Sequence, residues 1–93
     1  MTKEQAVRLM RAYGEFAAKF KTARFVHMRG MPERVTPEFS IGKTMRWLGF
    51  MQGALWAFEW FTLEDLKEHS RQAAQSEEGT ELELVRNSGE PLA

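Results

Sequence analysis

The chain has 93 residues, a formal net charge of zero and no cysteine. This length accommodates one domain, and the lack of cysteine excludes disulfides, zinc–thiolate sites and thiol catalysis. The zero net charge is a balance of two opposite halves. Residues 1–46 carry ten Lys and Arg against four Asp and Glu, whereas residues 47–93 carry three against nine. Because small domains without disulfides are typical of a reducing compartment, we expect a cytoplasmic protein.

The first predicted element is an amphipathic helix over residues 3–22. Thr2 and Gln5 have the spacing of a capping box. Large apolar side chains then recur with the period of one helix face, namely Leu9, Tyr13, Phe16 and Phe20. Residues 23–36 lose this period and contain glycine and proline, so the sequence predicts a long connection there. Residues 25–28 are a candidate extended run within that connection.

The second predicted helix covers residues 37–60. Thr36 is a suitable capping residue, and Pro37 suits the first helical position. The helix is apolar on nearly all sides and must therefore be covered on nearly all sides. This predicts a protein partner or self-association as a homodimer or larger. The apolar stretch from Trp47 to Phe61 is shorter than the roughly twenty residues that a membrane span needs, so we expect no membrane insertion.

Three glycines share one face of this second helix. Gly42, Gly49 and Gly53 fall within about 40° of one another at about 100° per residue. Glycine lowers helix stability by roughly 0.8–1 kcal/mol per residue, and its physical use is close approach by another backbone. We therefore interpret this face as a tight helix–helix or oligomer interface, made either with the first helix or with a second copy of the chain.

The third predicted helix begins at Thr62 and runs to about residue 75, with Asp65 completing a capping box. It is mostly polar and is expected to lie on the surface of the first two helices. Residues 77–93 are acidic and lack a helical period, which indicates a flexible tail behind a single helical domain over 1–76. The predicted fold is thus all-α: a helical hairpin, a third shorter helix packed across it, and a loose C-terminal tail.

Catalytic and metal sites receive little support from the sequence. Asp65 and His69 are four residues apart and share a helix face, a spacing found in acid–base pairs and in half of some metal sites. A metal site needs at least a third donor, and a solvated helix pair is the commoner meaning of this spacing. The motifs of nucleophilic hydrolases, P-loops and zinc proteases are absent from the sequence. We therefore predict no enzyme, no metal and no cofactor.

A basic segment over residues 19–34 is the more informative candidate site. Cations with interleaved Phe side chains suit contacts with phosphates and bases, and the same charges suit an acidic protein surface. The commonest explanation is a basic helix end favoured by the helix dipole. The candidate partner-binding or phosphate-binding residues are Lys19, Lys21, Arg24, Arg29 and Arg34.

The second half of the chain carries a distinctive run of residues. Residues 46–56 read R-W-L-G-F-M-Q-G-A-L-W, and a helix with Thr62 at its start and Arg71 near its end follows. This pattern resembles small early-region accessory proteins of tailed bacteriophages and prophages, which share R-W-L-G-F-x-Q-G-x-L-W. The resemblance covers residues 36–71. It implies an accessory protein that acts inside the bacterial cell, and it assigns no catalytic residue.

The resemblance also implies structural roles within the run. Trp47 and Trp56 are expected in the core or in an interface. Gln52 is expected to be a lone buried amide that fixes helix register, because a buried amide must find a partner. Accessory proteins of this kind often act by stoichiometric binding.

The predicted function is therefore that of a non-enzymatic phage protein that binds and modulates a host protein, for instance as an inhibitor of a CRISPR-type defence system. Two alternatives remain open. One is a nucleotide or nucleic-acid binding protein that uses the basic segment. The other is an assembly protein with no ligand.

Overall fold

The computed structural model describes residues 1–19 and 23–86, and over 23–25 it describes the backbone alone. The fold is all-α, as the sequence predicts. Within the described residues a 3₁₀ turn, Pro32–Arg34, and four helices follow one another: α1 (Lys3–Ala18), α2 (Ala23–Gly30), α3 (Ile41–Ala57) and α4 (Leu63–Ala74). Helix α1 is central, because it packs against each of the other three.

Helix α1 begins with the predicted capping box. The Thr2 hydroxyl accepts from the Gln5 amide (3.1 Å), and the Gln5 side chain accepts from the Thr2 amide (2.8 Å). The predicted apolar face is buried at Leu9 and Tyr13. The helix ends at Ala18, four residues before the predicted end, and Phe20 of the predicted stripe lies outside the described residues.

Helix α2 is the main departure from the predicted fold. It occupies residues for which the sequence predicted a connection and a candidate extended run. Of its described side chains only Met28 is buried, followed by Met31 in the next turn. Two apolar residues three apart are too few for a periodic signal. Both methionines belong to the buried core, and α2 packs against α1. We therefore attribute the helix to tertiary contacts that no local pattern reveals.

Helix α3 begins later than predicted. Pro37 lies in a turn that is closed by a hydrogen bond from the Phe39 amide to the Thr36 carbonyl (3.0 Å). Ser40 is the actual cap, with its hydroxyl accepting from the Lys43 amide (3.0 Å). The prediction of Thr36 as the cap was wrong because proline suits the second position of a turn as well as the first turn of a helix.

Helix α3 also ends earlier than predicted, at Ala57. The Trp60 amide donates to the Leu55 carbonyl and the Glu59 amide to the Trp56 carbonyl, both at 2.9 Å. These two bonds form a Schellman motif, which requires a left-handed residue after the helix. Glu59 takes that conformation with φ +63°. Because the position holds glutamate rather than glycine, the usual C-terminal signal is missing from the sequence.

Helix α4 has the predicted capping box between Thr62 and Asp65. Its end is tied to the start of α1, because Gln5 Nε2 donates to the carbonyls of Ala74 and Ser76, both at 3.1 Å. The chain then continues without regular structure to residue 86.

The segment after α4 was predicted as a flexible tail over residues 77–93. As far as residue 86 it returns along the bundle, and Leu82 and Leu84 pack against the core. Residues 87–93 lie outside the described part of the chain. The described half of this segment therefore adds apolar contacts to the domain that was predicted to end at residue 76.

Candidate functional site

A line of hydrogen bonds joins three helices inside the bundle. Gln52 of α3 donates from Nε2 to the hydroxyl of Tyr13 in α1 (3.2 Å) and to the hydroxyl of Ser70 in α4 (3.0 Å). The Tyr13 hydroxyl lies 2.7 Å from Nδ1 of His69. Nε2 of His69 lies 2.8 Å from the Val85 carbonyl oxygen, in the segment after α4. Gln52, predicted as a register-fixing amide, is half-buried and bridges two neighbouring helices.

The geometry fixes the protonation of His69. A carbonyl oxygen only accepts hydrogen bonds, so Nε2 of His69 must carry the proton that Val85 receives. In the neutral ring Nδ1 is then an acceptor, and the Tyr13 hydroxyl donates to it. The Phe61 ring meets the His69 ring edge-on at 4.7 Å between centroids. Burial raises the pKa of Tyr13 well above its usual range, so its hydroxyl keeps the proton that it donates to His69.

Burial also lowers the pKa of His69 below its ordinary value of 6.5, although the Val85 carbonyl and the nearby Asp65 and Glu68 carboxylates act in the opposite direction. A proton on Nδ1 would displace the hydrogen that Tyr13 donates there. Protonation therefore requires the Tyr13 hydroxyl to turn and accept from Nδ1, whereas the bond from Nε2 to the Val85 carbonyl is kept.

We expect the free energy of unfolding to fall as the pH drops below about 6.5. In that range unfolded His69 binds a proton that folded His69 does not, so acid favours the unfolded state. Urea unfolding at about pH 7.5 and about pH 5.5 measures the change. His69→Gln should lose most of this pH dependence, and His27→Gln, which changes an exposed histidine, should keep it. An equal pH dependence in the His69 variant would contradict this assignment.

The Asp65–His69 pair was the sequence's candidate for acid–base or metal chemistry. The Asp65 carboxylate is buried and accepts from the Thr62 amide (2.9 Å) at the start of α4. Both His69 nitrogens bond to protein atoms, as described above. Among the described residues no three His, Asp or Glu side chains are grouped so that they could hold a metal ion. Asp65 and His69 therefore both make hydrogen bonds to other groups of the folded chain.

The structure describes only part of the basic segment over residues 19–34. Lys19, Arg29 and Arg34 are exposed, Lys21 lies outside the described residues, and only the backbone of Arg24 is described. A recess of about 250 Å³ beside Arg29 is lined by two cations, Arg11 and Arg29, and by two acids, Glu15 and Glu33. These carboxylates offset the positive charge that a phosphate would need. A single phosphate-binding patch of all five residues stays a prediction.

The predicted glycine face of α3 points away from α1. A Cβ on Gly49 or Gly53 would have no atom within 4 Å among the described residues, and one on Gly42 would lie 3.7 Å from an Arg46 side-chain nitrogen. A crossing of this face with α1 is thus excluded. The close approach occurs at Gly14 instead, where a Cβ would lie 3.3 Å from the Arg29 carbonyl oxygen.

The two tryptophans of the distinctive run differ in environment. Trp47 is half-buried, and its ring meets the Phe39 ring edge-on at 4.9 Å between centroids. Trp56 is 52% exposed. It lines a groove of about 450 Å³ between α3 and α4 together with Leu63 and Leu66. The solvent-exposed side of α3 therefore carries the Trp56 ring close to two glycines, Gly49 and Gly53.

A second exposed surface combines residues of α2 and α3, which contact each other through the rings of His27 and Phe50. It consists of Val26, His27, Lys43 and Phe50, and we call it the cationic–aromatic surface. Val26 is 59% and Phe50 57% exposed, and the His27 ring meets the Phe50 ring edge-on at 6.2 Å. Every charged residue of α2 and α3 is Lys or Arg. This surface could not be predicted from the sequence, because it depends on the unpredicted helix α2.

Comparison of the chain with protein-family models, with curated proteins and with solved structures gave no match. Within the described residues, no helix combines the length and the hydropathy that crossing a membrane requires.

Proposed function

We propose that this chain is a non-enzymatic bacteriophage accessory protein that binds a host protein in the bacterial cytoplasm, and that its target belongs to a CRISPR-type defence system. The phage context and the class of target rest on the resemblance of residues 36–71. The binding surface is argued from the fold. The observation that carries it is the cationic–aromatic surface on α2 and α3.

The composition of this surface supports protein binding. Aromatic side chains such as Phe50 are enriched in protein–protein interfaces, and exposed apolar area beside polar residues is typical of interaction sites. Phe50 and Val26 are among the most exposed large apolar side chains of the described chain. Because α2 and α3 carry only positive formal charges, the partner surface is expected to be acidic and to associate faster at low salt.

The internal hydrogen bonds of the polar side chains also support a binding role. The groups best suited to acid–base chemistry, His69 and Asp65, make hydrogen bonds inside the protein. The surface grooves open broadly to solvent, and the one between α3 and α4 has an apolar lining of Trp56, Leu63 and Leu66 with one cation, Lys67. Such a surface provides contact area and little catalytic machinery.

Capture from a bacterial host lysate tests the proposal. The immobilised chain should retain one host protein in an equimolar amount. Phe50→Glu should abolish this retention, whereas Ile41→Glu, which changes another exposed apolar residue of α3, should not. The proposal would be contradicted if Ile41→Glu lost the host protein as Phe50→Glu does. It would also be contradicted if neither the wild type nor Ile41→Glu retained a host protein.

The same experiment separates the two alternatives. Retention of nucleic acid or of a cyclic dinucleotide that falls steeply between low and moderate salt would favour phosphate recognition by the basic segment. Absence of any bound host component, with assembly of the chain into large particles, would favour a purely structural role.

A further inference from the structure

We propose that protonation of His69 turns over the side-chain amide of Gln52, through the Tyr13 hydroxyl that lies between them. The turnover changes the group that Gln52 presents to the groove between α3 and α4. At neutral pH this group is the carbonyl oxygen, which accepts hydrogen bonds, and in acid it is the NH₂ group, which donates them. This switch goes beyond the proposed function and does not rest on it.

At neutral pH the hydrogen bonds between the groove and the segment after α4 run in one direction. His69 donates from Nε2 to the Val85 carbonyl oxygen (2.8 Å), so Nδ1 accepts from the Tyr13 hydroxyl (2.7 Å). The Tyr13 oxygen accepts from Gln52 Nε2 (3.2 Å), which also donates to the Ser70 hydroxyl oxygen (3.0 Å). Both hydrogens of the Gln52 amide are therefore used inside the protein.

The carbonyl oxygen of the Gln52 side chain is left for the groove. Oε1 makes no hydrogen bond to a described residue, and it is not enclosed by protein atoms. Gln52 and Ser70 both line the groove of about 450 Å³ between α3 and α4. A molecule or a water in this groove therefore meets an acceptor at neutral pH.

A proton on Nδ1 of His69 reverses the direction of these bonds. Both ring nitrogens then donate, and Tyr13 must accept from Nδ1, because the Val85 carbonyl keeps the bond from Nε2. The hydroxyl hydrogen of Tyr13 then needs a new acceptor inside the protein, since Tyr13 is fully buried and a buried donor without a partner is costly. The other described side chain that bonds to this hydroxyl is Gln52, whose NH₂ group cannot accept.

A half turn of the Gln52 amide supplies the missing acceptor. The oxygen and the NH₂ group of an amide are close in size, so Oε1 can take the place of Nε2 between the Tyr13 and Ser70 hydroxyls. A carbonyl oxygen accepts two hydrogen bonds, and both hydroxyls then donate to it. The NH₂ group moves to the former place of Oε1 and faces the groove.

The groups around His69 set the pH at which the switch responds. Burial lowers the pKa of His69 below its ordinary value of 6.5, against the effect of the two carboxylates of α4 that face it, Asp65 and Glu68. The switch is therefore in its neutral-pH state at pH 7 and responds to acid. Each other element packed against the ring contributes an uncharged group: the Tyr13 hydroxyl from α1, the Phe61 ring before α4 and the Val85 carbonyl after it.

Hydrogen exchange of side-chain amides, followed by nuclear magnetic resonance of the ¹⁵N-labelled chain, tests the switch. The Gln52 amide hydrogens should lose protection by about tenfold or more as the His69 ring signals titrate, with the same midpoint. The Gln5 amide, which donates to the Ala74 and Ser76 carbonyls, is the internal reference. The ratio of the two exchange rates removes the effect of pH on exchange itself.

Two variants separate the switch from a general effect of acid. Tyr13→Phe removes the hydroxyl between the two side chains, so His69 should still titrate while the exchange ratio no longer follows it. His69→Gln removes the titrating ring, and the ratio should again be independent of pH. A constant ratio in the wild type, an equal change in Tyr13→Phe, or unfolding of the chain before His69 is protonated would overturn the inference. Failure of the host-capture experiment would leave these results unaffected.

Discussion

Replacement of Gly14 by valine is expected to lower the free energy of unfolding by about 2–3 kcal/mol, the upper part of the range for overpacked sites. A Cβ at this position would lie 3.3 Å from the Arg29 carbonyl oxygen and 3.5 Å from Pro32 Cγ. Both neighbours belong to the backbone or to a rigid ring, so neither can move without shifting α2 away from α1. Urea unfolding at a fixed pH measures the loss.

The matched control for Gly14 is Gly49→Val, which makes the same change in α3 where no described atom lies nearby. Valine has a somewhat higher helix propensity than glycine, so this variant should be slightly more stable than the wild type when both are monomeric. Equal destabilisation by the two variants would show that the α1–α2 contact is looser than the structure has it.

Truncation of Phe61 to alanine is expected to cost about 3–5 kcal/mol, the usual range for a fully buried aromatic side chain. Phe61 is 3% exposed. Its ring lies 5.0 Å from Phe16 and 4.7 Å from His69 between centroids. The residue joins the end of α3 to the start of α4, so its loss opens the core at the point where three helices meet.

The control for Phe61 is Phe58→Ala, three residues earlier at the end of α3, where the side chain is 42% exposed. This variant removes the same ring from a partly solvated position and should cost well under half as much. A comparable loss in the two variants would contradict the placement of Phe61 in the core. Thermal unfolding followed by circular dichroism is sufficient for this comparison.

Features fixed by neighbouring residues could be predicted from the sequence. The capping boxes at Thr2 and Thr62 form as expected, because each depends on two side chains three residues apart. The start of α3 was misplaced because Thr36 and Ser40 are both adequate caps, and local chemistry does not decide between them. Its end was missed because Glu59 occupies a left-handed position that usually holds glycine.

Features that depend on distant residues could not be predicted. Helix α2 forms through contacts of Met28 and Met31 with the bundle, and its eight residues are too few for a clear period. The close contact between α1 and α2 lies at Gly14, and no local pattern of residues indicates it.

The candidate site shows the same limit. Gln52 could be singled out as a polar residue in an apolar run. The hydrogen bond between Tyr13 and His69, however, joins residues 56 positions apart, and no motif links them. The cationic–aromatic surface likewise needed the position of α2 beside α3 before its residues could be recognised as neighbours.

The most direct test of the central claim, that this chain acts by stoichiometric binding, is a titration of the host protein that the immobilised chain retains. Calorimetry should give saturation at one chain per partner, with the affinity lost in Phe50→Glu and kept in Ile41→Glu. A partner that is altered completely by a small fraction of an equivalent of the chain would require turnover and would contradict the account.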